Sequence, residues 1–416
     1  MKKRSLFLCA GNFVALCVFL FFIPALSRAA DFGVVLDQVA GFGGYSSEGT
    51  FDYKGSLIPR FSTPIGKNGG LYTSAGINAE YANKEWTYIP ELLRTELTWY
   101  FNWGDLKIGR IYYSDPLGFI AAGLFDGARI SYDTSFGTFG LGAWYTGFLY
   151  KKRANIHFNY NELLHNSNEV DYDDFTGTYF AFRRLVSALE WSHPSLGGSL
   201  LSVNTSLLCQ VDFTGEDLHS QYIIAKLSLP VKSFLIDLGG SFELKEISGD
   251  LETALAAELK AAWTLPTIFA SRLSLLGRYA SGLSNSTYIT PFLPVTTKTH
   301  GSIINAKTPG TSMISLDYIA RLHRTFSAGV TSSYFIRSGS LGGGSEETFF
   351  YDNIRYYVTG DGYFLGNEFF GRLYWSPFSD LTATLGGGIF LPSLGNSKPE
   401  AESLWRVELN IVFSLI

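Results

Sequence analysis

Polar and apolar residues alternate along most of the chain with a period of two, and the alternation continues to the last residues. In the stretch 234–245, Asp237 and Glu243 share one parity, whereas Leu238 and Phe242 share the other. Successive side chains of a β-strand point to opposite faces, so each stretch of this kind has one polar and one apolar face. The pattern predicts an all-β protein.

The alternating stretches are commonly ten or more residues long, whereas strands of soluble proteins are mostly about 5–6 residues long. A strand that crosses a bilayer at a tilt needs about 9–11 residues. We identify about 18 candidate strands, near 32–40, 51–63, 71–83, 87–101, 105–112, 126–134, 137–148, 178–192, 200–213, 219–229, 233–246, 253–265, 267–281, 312–322, 325–337, 363–376, 380–391 and 403–416. The expected fold is a transmembrane antiparallel up-and-down β-barrel, for which an even strand number is typical.

One candidate strand has a composition that favours a helix. The stretch 251–263 (LETALAAELKAAW) is rich in Ala, Leu, Glu and Lys, which are good helix formers. Its alternate residues from Leu255 to Trp263 also fit a strand, and the neighbouring strands favour that interpretation.

The connections between candidate strands differ in length. Bacterial barrels have short turns at one end and longer external loops at the other, and such loops can fold inward and narrow the pore. Short turns are predicted near 102–104, 134–137, 230–232 and 376–379, and long segments near 113–125, 149–177, 282–311 and 338–362. The alternation in length agrees with an up-and-down barrel.

The beginning of the chain has the pattern of a secretory signal peptide. A basic tripeptide (2–4) precedes an apolar stretch (6–26), and small residues follow before position 30. We predict a signal peptide over residues 1–29 and one barrel domain over residues 30–416. A retained membrane anchor is the alternative, because the apolar stretch is long for a signal.

Composition agrees with an exported membrane barrel. Aromatic residues make up 16% of the chain and charged residues 17%, against about 25% charged residues in soluble domains. Loss of the four basic residues of the signal would change the formal charge from −5 to −9. Cys209 would then be the one remaining cysteine, which excludes an intramolecular disulfide and a cysteine-based metal cluster.

Charged residues of the polar parity are expected inside the barrel, because a lone charge on the lipid face costs about 2–4 kcal/mol at mid-depth. Opposed charges within so wide a barrel favour a water-filled pore with a slight preference for anions. A plugged barrel, in which the charges pair across the lumen, is the alternative. The pore-lining candidates are Arg94, Glu96, Lys107, Arg110, Arg129, Asp237, Glu243, Arg272, Arg278, Asp317, Arg321, Glu368 and Arg372.

The sequence offers no convincing catalytic or metal-binding motif. We can assemble no Ser–His–acid set, and the histidines lack the spacing of metal ligands. They are expected to be solvated residues of loops and strand ends: His157, His165, His193, His219, His300 and His323. We therefore predict neither enzymatic activity nor a cofactor.

Short motifs resemble the alginate-export family of outer-membrane barrels. They are Ile108–Arg110, Ser114–Gly118, Phe125–Ala128, Leu365–Glu368 and Gly386–Pro392. The resemblance implies an 18-stranded monomeric pore for saccharides, polyanions or other small polar solutes. An alginate conduit has a strongly basic constriction, whereas the lumen predicted for this chain is mixed in charge.

Arg110 is a special case among the pore-lining candidates. It has the same parity as Leu106 and Ile108, which belong to the apolar face. Its side chain reaches the lumen only if Gly109 forms a bulge or if Arg110 lies above the membrane band.

The sequence thus predicts a porin-like channel of the bacterial outer membrane for passive passage of small polar or anionic solutes, saccharides among them. Expected partners are outer-membrane lipid, the small polar solute and the barrel-assembly machinery, whose recognition signal the terminal strand with Phe413 resembles. No nucleic-acid partner is expected. The alternatives are a surface-exposed adhesin or antigen barrel and a plugged transporter of hydrophobic ligands.

Overall fold

The described residues of the computed structural model form one antiparallel sheet of 18 strands, which closes on itself as a barrel. Strands that follow each other in sequence pair with each other, and β1 pairs with both β2 and β18. The structure describes residues 30–45, 48–82, 84–154, 165–166, 168–213, 218–247, 249–267, 269–282, 289–296, 298–339, 363–393 and 402–415. The predicted up-and-down barrel is confirmed.

The strands have the following bounds: β1 Asp31–Tyr45, β2 Glu48–Ile65, β3 Gly69–Ala82, β4 Glu85–Phe101, β5 Gly104–Ser114, β6 Ala122–Thr134, β7 Gly137–Tyr145, β8 Arg184–His193, β9 Ser202–Asp212, β10 Leu218–Val231, β11 Phe234–Ile247, β12 Asp250–Thr264, β13 Arg272–Ala280, β14 Thr311–His323, β15 Phe326–Arg337, β16 Phe364–Phe378, β17 Leu381–Pro392 and β18 Leu404–Leu415. The stretch with helical composition is β12, and it pairs with β11 along its whole length. Pairing on both sides therefore outweighs the helix propensity of its residues.

The barrel has its apolar side chains outside and its polar side chains inside. On β11, the outward side chains of Leu238 and Phe242 are 53% and 40% exposed, whereas the inward side chain of Glu243 is fully buried. The same alternation recurs on the other strands, as on β9, where Leu207 is exposed and Ser206 is buried. Exposure of the large apolar side chains around the outer wall is the arrangement that a surrounding bilayer requires.

Aromatic rings lie on the outer wall near both ends of the barrel. Phe101 stacks on Trp103 at one end, with 4.7 Å between the ring centroids. Phe42 contacts Trp405 at the other end, with 5.2 Å between the centroids. Two such rings of aromatic residues are typical of barrels whose ends lie in the two interfaces of a membrane.

Connections of different length lie at opposite ends. The predicted short turns near 102–104, 134–137, 230–232 and 376–379 join strands at one end, and the predicted long segments join strands at the other. Helical turns Lys151–Ala154 and Phe175–Tyr179 lie in the described part of the β7–β8 connection. No helix of the described residues is long and apolar enough to cross a membrane. The predicted signal peptide over residues 1–29 lies outside the described residues.

Candidate functional site

Two of the long connections turn into the barrel. In the β5–β6 connection, Phe119 and Ile120 are fully buried, and so are Phe292 and Val295 of the β13–β14 connection. These side chains join inward-facing residues of β5 to β13 in one apolar cluster. Inward folding of a long loop was one of the options left open by the sequence, and the apolar loop residues supply the reason for it, since they leave water by doing so.

Asp115 organises the β5–β6 connection. Its buried carboxylate accepts hydrogen bonds from the backbone N–H groups of Leu117, Gly118, Ile120 and Ala121, at 2.8–2.9 Å. Burial raises the pKa of the Asp115 carboxyl, while the four backbone donors oppose that rise. One side chain thus satisfies four backbone groups that would otherwise be buried without partners.

The two inward connections bond to each other. The backbone N–H of Thr296 donates to the carbonyl of Ile120 at 2.9 Å, and its hydroxyl accepts from the backbone N–H of Ala122 at 2.9 Å. The Lys298 ammonium donates to the carbonyl of Gly118 at 3.1 Å. The two connections therefore form one inner body, which we call the inner loops (residues 115–121, 289–296 and 298–310).

The inner loops are bonded to the wall at β10 and β11. The Tyr222 hydroxyl donates to the carbonyl of Leu293, and the Leu293 N–H donates to the Glu243 carboxylate at 2.9 Å. The Lys245 ammonium donates to the carbonyl of Pro291. Glu243 was predicted to line a pore; the structure places it, fully buried, under the inner loops.

A second anchor is at β16. The Glu368 carboxylate accepts from the backbone N–H groups of Ser302, Ile303 and Ile304, at 2.7 to 3.1 Å. Arg372 donates to the hydroxyl of Ser302 at 2.5 Å. Glu368 and Arg372, both predicted to line the pore, thus hold the second inner loop at a strand five places from β11 in the sheet.

Arg278 of β13 lies at the junction of wall and inner loops. Its guanidinium forms an ion pair with Glu258 on the neighbouring strand, at 2.5 Å. The same guanidinium lies over the ring of Phe119, 4.7 Å from its centroid. It also contacts Nδ1 of His300 at 3.2 Å. A predicted pore-lining cation therefore joins the strand wall to both inner loops.

His300 differs from its sequence-based expectation. The sequence predicts it to be solvated, but it is 3% exposed, and its backbone forms a bridge with Ala306. Burial, together with Arg278 and Lys298 nearby, lowers the pKa of His300 to about 3. The ring is therefore neutral near pH 7, and its Nδ1 can accept a hydrogen bond from Arg278.

The inner loops fill one side of the lumen and leave the other open. Under the loops, the inward side chains of Arg184 and Lys245 are each 1% exposed. Three inward cations elsewhere on the wall, on β2, β4 and β18, are solvated: Lys54 is 54% exposed, Arg94 43% and Arg406 28%. An off-centre passage therefore runs along the second side of the wall.

Inward ion pairs of the wall, on this side and on the neighbouring strands β6 and β8, share an unequal exposure. Glu96 is 5% exposed and pairs with Arg94 at 2.6 Å and with Lys107 at 3.6 Å, whose side chains are 43% and 35% exposed. Arg129, 28% exposed, pairs at 2.9 Å with Glu190, 17% exposed. The cation of each pair meets water while the carboxylate lies behind it.

The inequality recurs at another pair and is reversed at two places, at Arg406 and at Lys245, which is 1% exposed while its partner Glu252 is 32% exposed. Lys226 is 23% exposed and Asp237 10%, with 3.9 Å between their charged atoms. Arg406 is less exposed than both of its partners, Asp52 and Glu408, which lie near the long-loop end. At Arg94, Lys107 and Arg129 the cations thus meet water more than their carboxylates do, whereas near the long-loop end the acids Asp52 and Glu408 are the more exposed partners.

The remaining sequence candidates lie towards the short-turn end. Arg272 and Arg321 are exposed at the ends of β13 and β14. Asp317 lies deeper and accepts from the hydroxyl of Thr331 at 2.9 Å, which also contacts Arg372 at 3.4 Å. The predicted residues thus fall into three groups: some anchor the inner loops, some line the passage, and Arg272 and Arg321 lie at its short-turn end.

Arg110 lies in the wall, outside the passage. β5 pairs with β6 in one continuous register, so Arg110 has the outward parity of the exposed residues Ile108 and Tyr112. Its guanidinium forms a two-bond ion pair with Asp126 of β6, at 2.8 and 2.7 Å. Although Gly109 has a positive φ of 115°, the bulge that would turn Arg110 inward does not occur.

Glu91 is an inward residue that parity counting missed. The register between β3 and β4 shifts between Thr73 and Ala75, so β4 has one extra residue and its inward parity changes. Glu91 is 2% exposed, accepts from Asn78 at 3.0 Å and pairs with Arg153 of the β7–β8 connection at 2.8 Å. Apolar residues at both parities near Leu92 and Leu93 were the available signal.

The geometry agrees with that of solved outer-membrane proteins. OccK2 (OpdF) of Pseudomonas aeruginosa, solved in complex with glucuronate, matches with a TM-score of 0.60 at 12% identity, over 93% of this chain and 98% of that one. The outer membrane protein opdK of the same organism matches with a TM-score of 0.57 at 12% identity, over 93% and 98%. OccAB4 of Acinetobacter baumannii matches with a TM-score of 0.58 at 10% identity, over 94% and 99%.

The chain has the fold of an outer-membrane porin barrel. No protein-family model and no curated protein sequence matches it. Because the identities to the solved structures are low, these neighbours show the fold alone. Among the described residues, no group of three or more His, Cys, Asp or Glu side chains is arranged to hold a metal ion.

Proposed function

We propose that this protein is a passive channel of the bacterial outer membrane for small polar solutes, with a preference for anions. The observation that carries the proposal is the unequal exposure of the inward ion pairs of β4 to β8. Arg94, Lys107 and Arg129 present their charges to the lumen, and the carboxylates of Glu96 and Glu190 lie behind them.

The physical basis is local and does not depend on the negative net charge. A charged group that lines a narrow aqueous passage with low-dielectric walls acts strongly on a passing ion. A carboxylate that lies behind its cation is farther from that ion and is already compensated by hydrogen bonds. An anion would therefore meet a more favourable potential than a cation at the level of Arg94 and Lys107.

Solute size and chemistry follow from the same residues. The inner loops occupy one side of the lumen, which favours small solutes over polymers. Arg94, Lys107 and Arg129 offer several N–H donors, which suit a molecule that carries a carboxylate and hydroxyl groups. Sugar acids are the class we favour, and OccK2, a structural neighbour, was solved in complex with such an acid, glucuronate.

The resemblance to the alginate-export family is a narrower form of the same proposal. Alginate is a polymer of uronic acids, so monomeric uronates and short oligouronates would share the binding chemistry of the passage. Acids accompany the cations along this wall, and for that reason we favour monomers over the polymer. The proposed function is transport and not catalysis.

The test is the reversal potential of the purified protein in planar bilayers under a salt gradient. We expect reproducible conductance steps and anion selectivity. The double variant Arg94→Gln/Lys107→Gln should lose most of that selectivity, and Lys67→Gln, in a short turn away from the passage, should retain it. A folded but electrically silent barrel would favour the plugged transporter or the adhesin, and cation selectivity would contradict the anion preference.

A further inference from the structure

The strand ladder of the barrel is interrupted between β4 and β5. β4 pairs with β3 from Glu85 to Trp99, but it pairs with β5 only from Thr95 to Phe101. Both strands are described in full, so the interruption is a feature of the wall. We call it the seam: residues 85–94 of β4 facing residues 111–114 of β5.

Side chains take the place of the missing strand along the seam. Carbonyls at every second residue of β4 accept hydrogen bonds from donors on other elements: Tyr88 from the hydroxyl of Tyr172, Pro90 from the hydroxyl of Tyr179 at 2.8 Å, and Leu92 from the guanidinium of Arg110. Three edge carbonyls are thus satisfied without a backbone ladder. We call Tyr172 and Tyr179 the tyrosine seal.

The sequence of β4 carries an independent sign of this edge. Pro90 lies within the strand, has no N–H to donate and bonds through its carbonyl to Tyr179. Proline is found in sheets almost solely at edges, because it cannot continue a hydrogen-bonded ladder on both sides. Pro90 therefore fits a position where no neighbouring strand is required.

The inner side of the seam is aromatic around Ile89 and carries the buried ion pair of Glu91 with Arg153 beside it. Ile89 is 1% exposed and packs in a buried cluster with Tyr150, Val170 and Tyr179. The rings of Phe175 and Tyr179 stack with 4.4 Å between their centroids. A molecule at this place would meet aromatic faces and the polar edge of β4, which together suit an amphipathic solute.

The outer side of the seam faces lipid, and its floor is an ion pair. Tyr88, Tyr112 and Phe148 are 55%, 63% and 61% exposed on the outer wall near the long-loop end. Below them Arg110, paired with Asp126, also donates to the carbonyl of Phe148 at 2.9 Å. The pairing of β4 with β5 resumes at this level, so the gap is limited to the half of the barrel that is nearer the long loops.

We propose that the seam is a lateral portal between the lumen and the outer half of the membrane, closed by the tyrosine seal, for small apolar or amphipathic molecules. Opening it breaks a few side-chain hydrogen bonds and moves aromatic side chains. Opening the wall elsewhere breaks a backbone ladder, such as the one that joins β1 to β2 from Asp31 to Tyr45. The portal is distinct from the polar passage: of the passage cations on these strands, Arg94 lies at the lower end of the seam and Lys107 lies below it on β5.

The test compares two routes to one thiol. In a Cys209→Ser background, Ile89→Cys places a thiol behind the tyrosine seal, and the protein is reconstituted in lipid nanodiscs. Its labelling is followed with a lipid-soluble maleimide and with a charged, membrane-impermeant maleimide. The seal variant Tyr172→Phe/Tyr179→Phe keeps the rings and removes both hydroxyl donors, and Tyr112→Phe, on the outer wall, serves as the matched control.

In the seal variant we expect labelling by the lipid-soluble reagent to rise on the order of tenfold, which corresponds to the loss of two hydrogen bonds. Labelling by the charged reagent should not change. An equal rise with both reagents would overturn the portal, because it would mean that the tyrosines stabilise the interior as a whole. No rise with either reagent, with the variant folded, would also overturn it.

A second measurement avoids the introduced cysteine. Hydrogen exchange of the otherwise unaltered barrel should increase in the seal variant within residues 85–94 and remain unchanged within residues 95–101, which are paired with β5. Exchange that increases across the whole strand, or in neither part, would contradict a local seam. A polar channel with an inactive seam remains conductive, so failure of this inference is distinguishable from failure of the proposed function.

Discussion

The side chain of Leu117, at the tip of the first inner loop, packs directly against Gly239 of β11. A β-carbon at position 239 would overlap Cδ2 of Leu117, so only glycine leaves room for this contact. The β5–β6 connection thus reaches across the lumen to a strand six places away in the sheet. This contact fixes how far the inner loops lie from the open side of the passage.

Gly239→Ala should lower the single-channel conductance. The added methyl group pushes the Leu117 tip away from β11 and towards the passage, which narrows it. Gly240→Ala is the matched control, because a β-carbon there would meet only an ordinary contact of 3.6 Å with the carbonyl of Ala256. Equal conductance of the two variants in planar bilayers would show that Leu117 does not set the width.

Asp115→Asn should make the open channel noisy. The amide nitrogen cannot accept a hydrogen bond, so two of the four backbone donors of the loop lose their partner, each at about 1–3 kcal/mol. The loop then samples several positions within the passage. Current recordings test this, with Asp380→Asn in a short turn as the control, and an unchanged noise spectrum would argue against the role of Asp115.

Stability should fall with acidification in a way that depends on His300. Its pKa is lowered to about 3 in the folded state, below the ordinary value of about 6.5, so the unfolded chain binds the proton more readily. Stability that depends on neutral His300 is full above about pH 6.5 and is lost as the pH falls towards 3. Arg278, Lys298 and Glu258 are the charged groups beside it.

The measurement is the urea midpoint of unfolding between about pH 7 and pH 4. Carboxylates elsewhere also titrate in this window, so the informative quantity is the difference between wild type and His300→Gln. The glutamine cannot take up a proton, and its midpoint should fall less steeply with acidification. Parallel curves for the two proteins would mean that His300 is protonated in the folded barrel or does not titrate.

The ion pair in the outer wall should show strong coupling. Arg110→Leu leaves Asp126 as a lone acid facing lipid, and Asp126→Leu leaves a lone cation, which should cost about 2–4 kcal/mol in either case. The double variant Arg110→Leu/Asp126→Leu should recover part of that loss, since no charge remains. Unfolding free energies in lipid vesicles test the coupling, and additive losses would contradict it.

Alternation in the sequence was sufficient to predict the strands and most of their orientation. Where the register is continuous, as on β13 and β14, counting parity places Arg278 and Asp317 on the inner wall, in agreement with the structure. On β4 the count fails above Arg94, because one extra residue reverses the faces and brings Glu91 inward. A bulge of this kind has no reliable signature in a single sequence.

The inner loops were harder to predict than the strands. Long connections were expected at one end, and their inward fold was one of the options. Their anchors were not foreseeable, because the bonds join residues far apart in sequence, such as Glu368 with Ile303 and Tyr222 with Leu293. The apolar run at Phe119 and Ile120, unusual for a loop, was the one local signal that the connection leaves water.

Because the inner loops lie off-centre, the two sides of the barrel place different constraints on substitution. Substitutions on β9 to β12 meet a packed interior and are constrained by folding, whereas the inward cations Lys54 on β2 and Arg406 on β18 meet water. Residues such as Lys54 and Arg406 can therefore change in charge or length without disturbing the inner loops. Residues on the solvated side can therefore change to fit a new solute while the packed side keeps the barrel folded. That makes the solvated side the natural place to alter specificity, in evolution or by engineering.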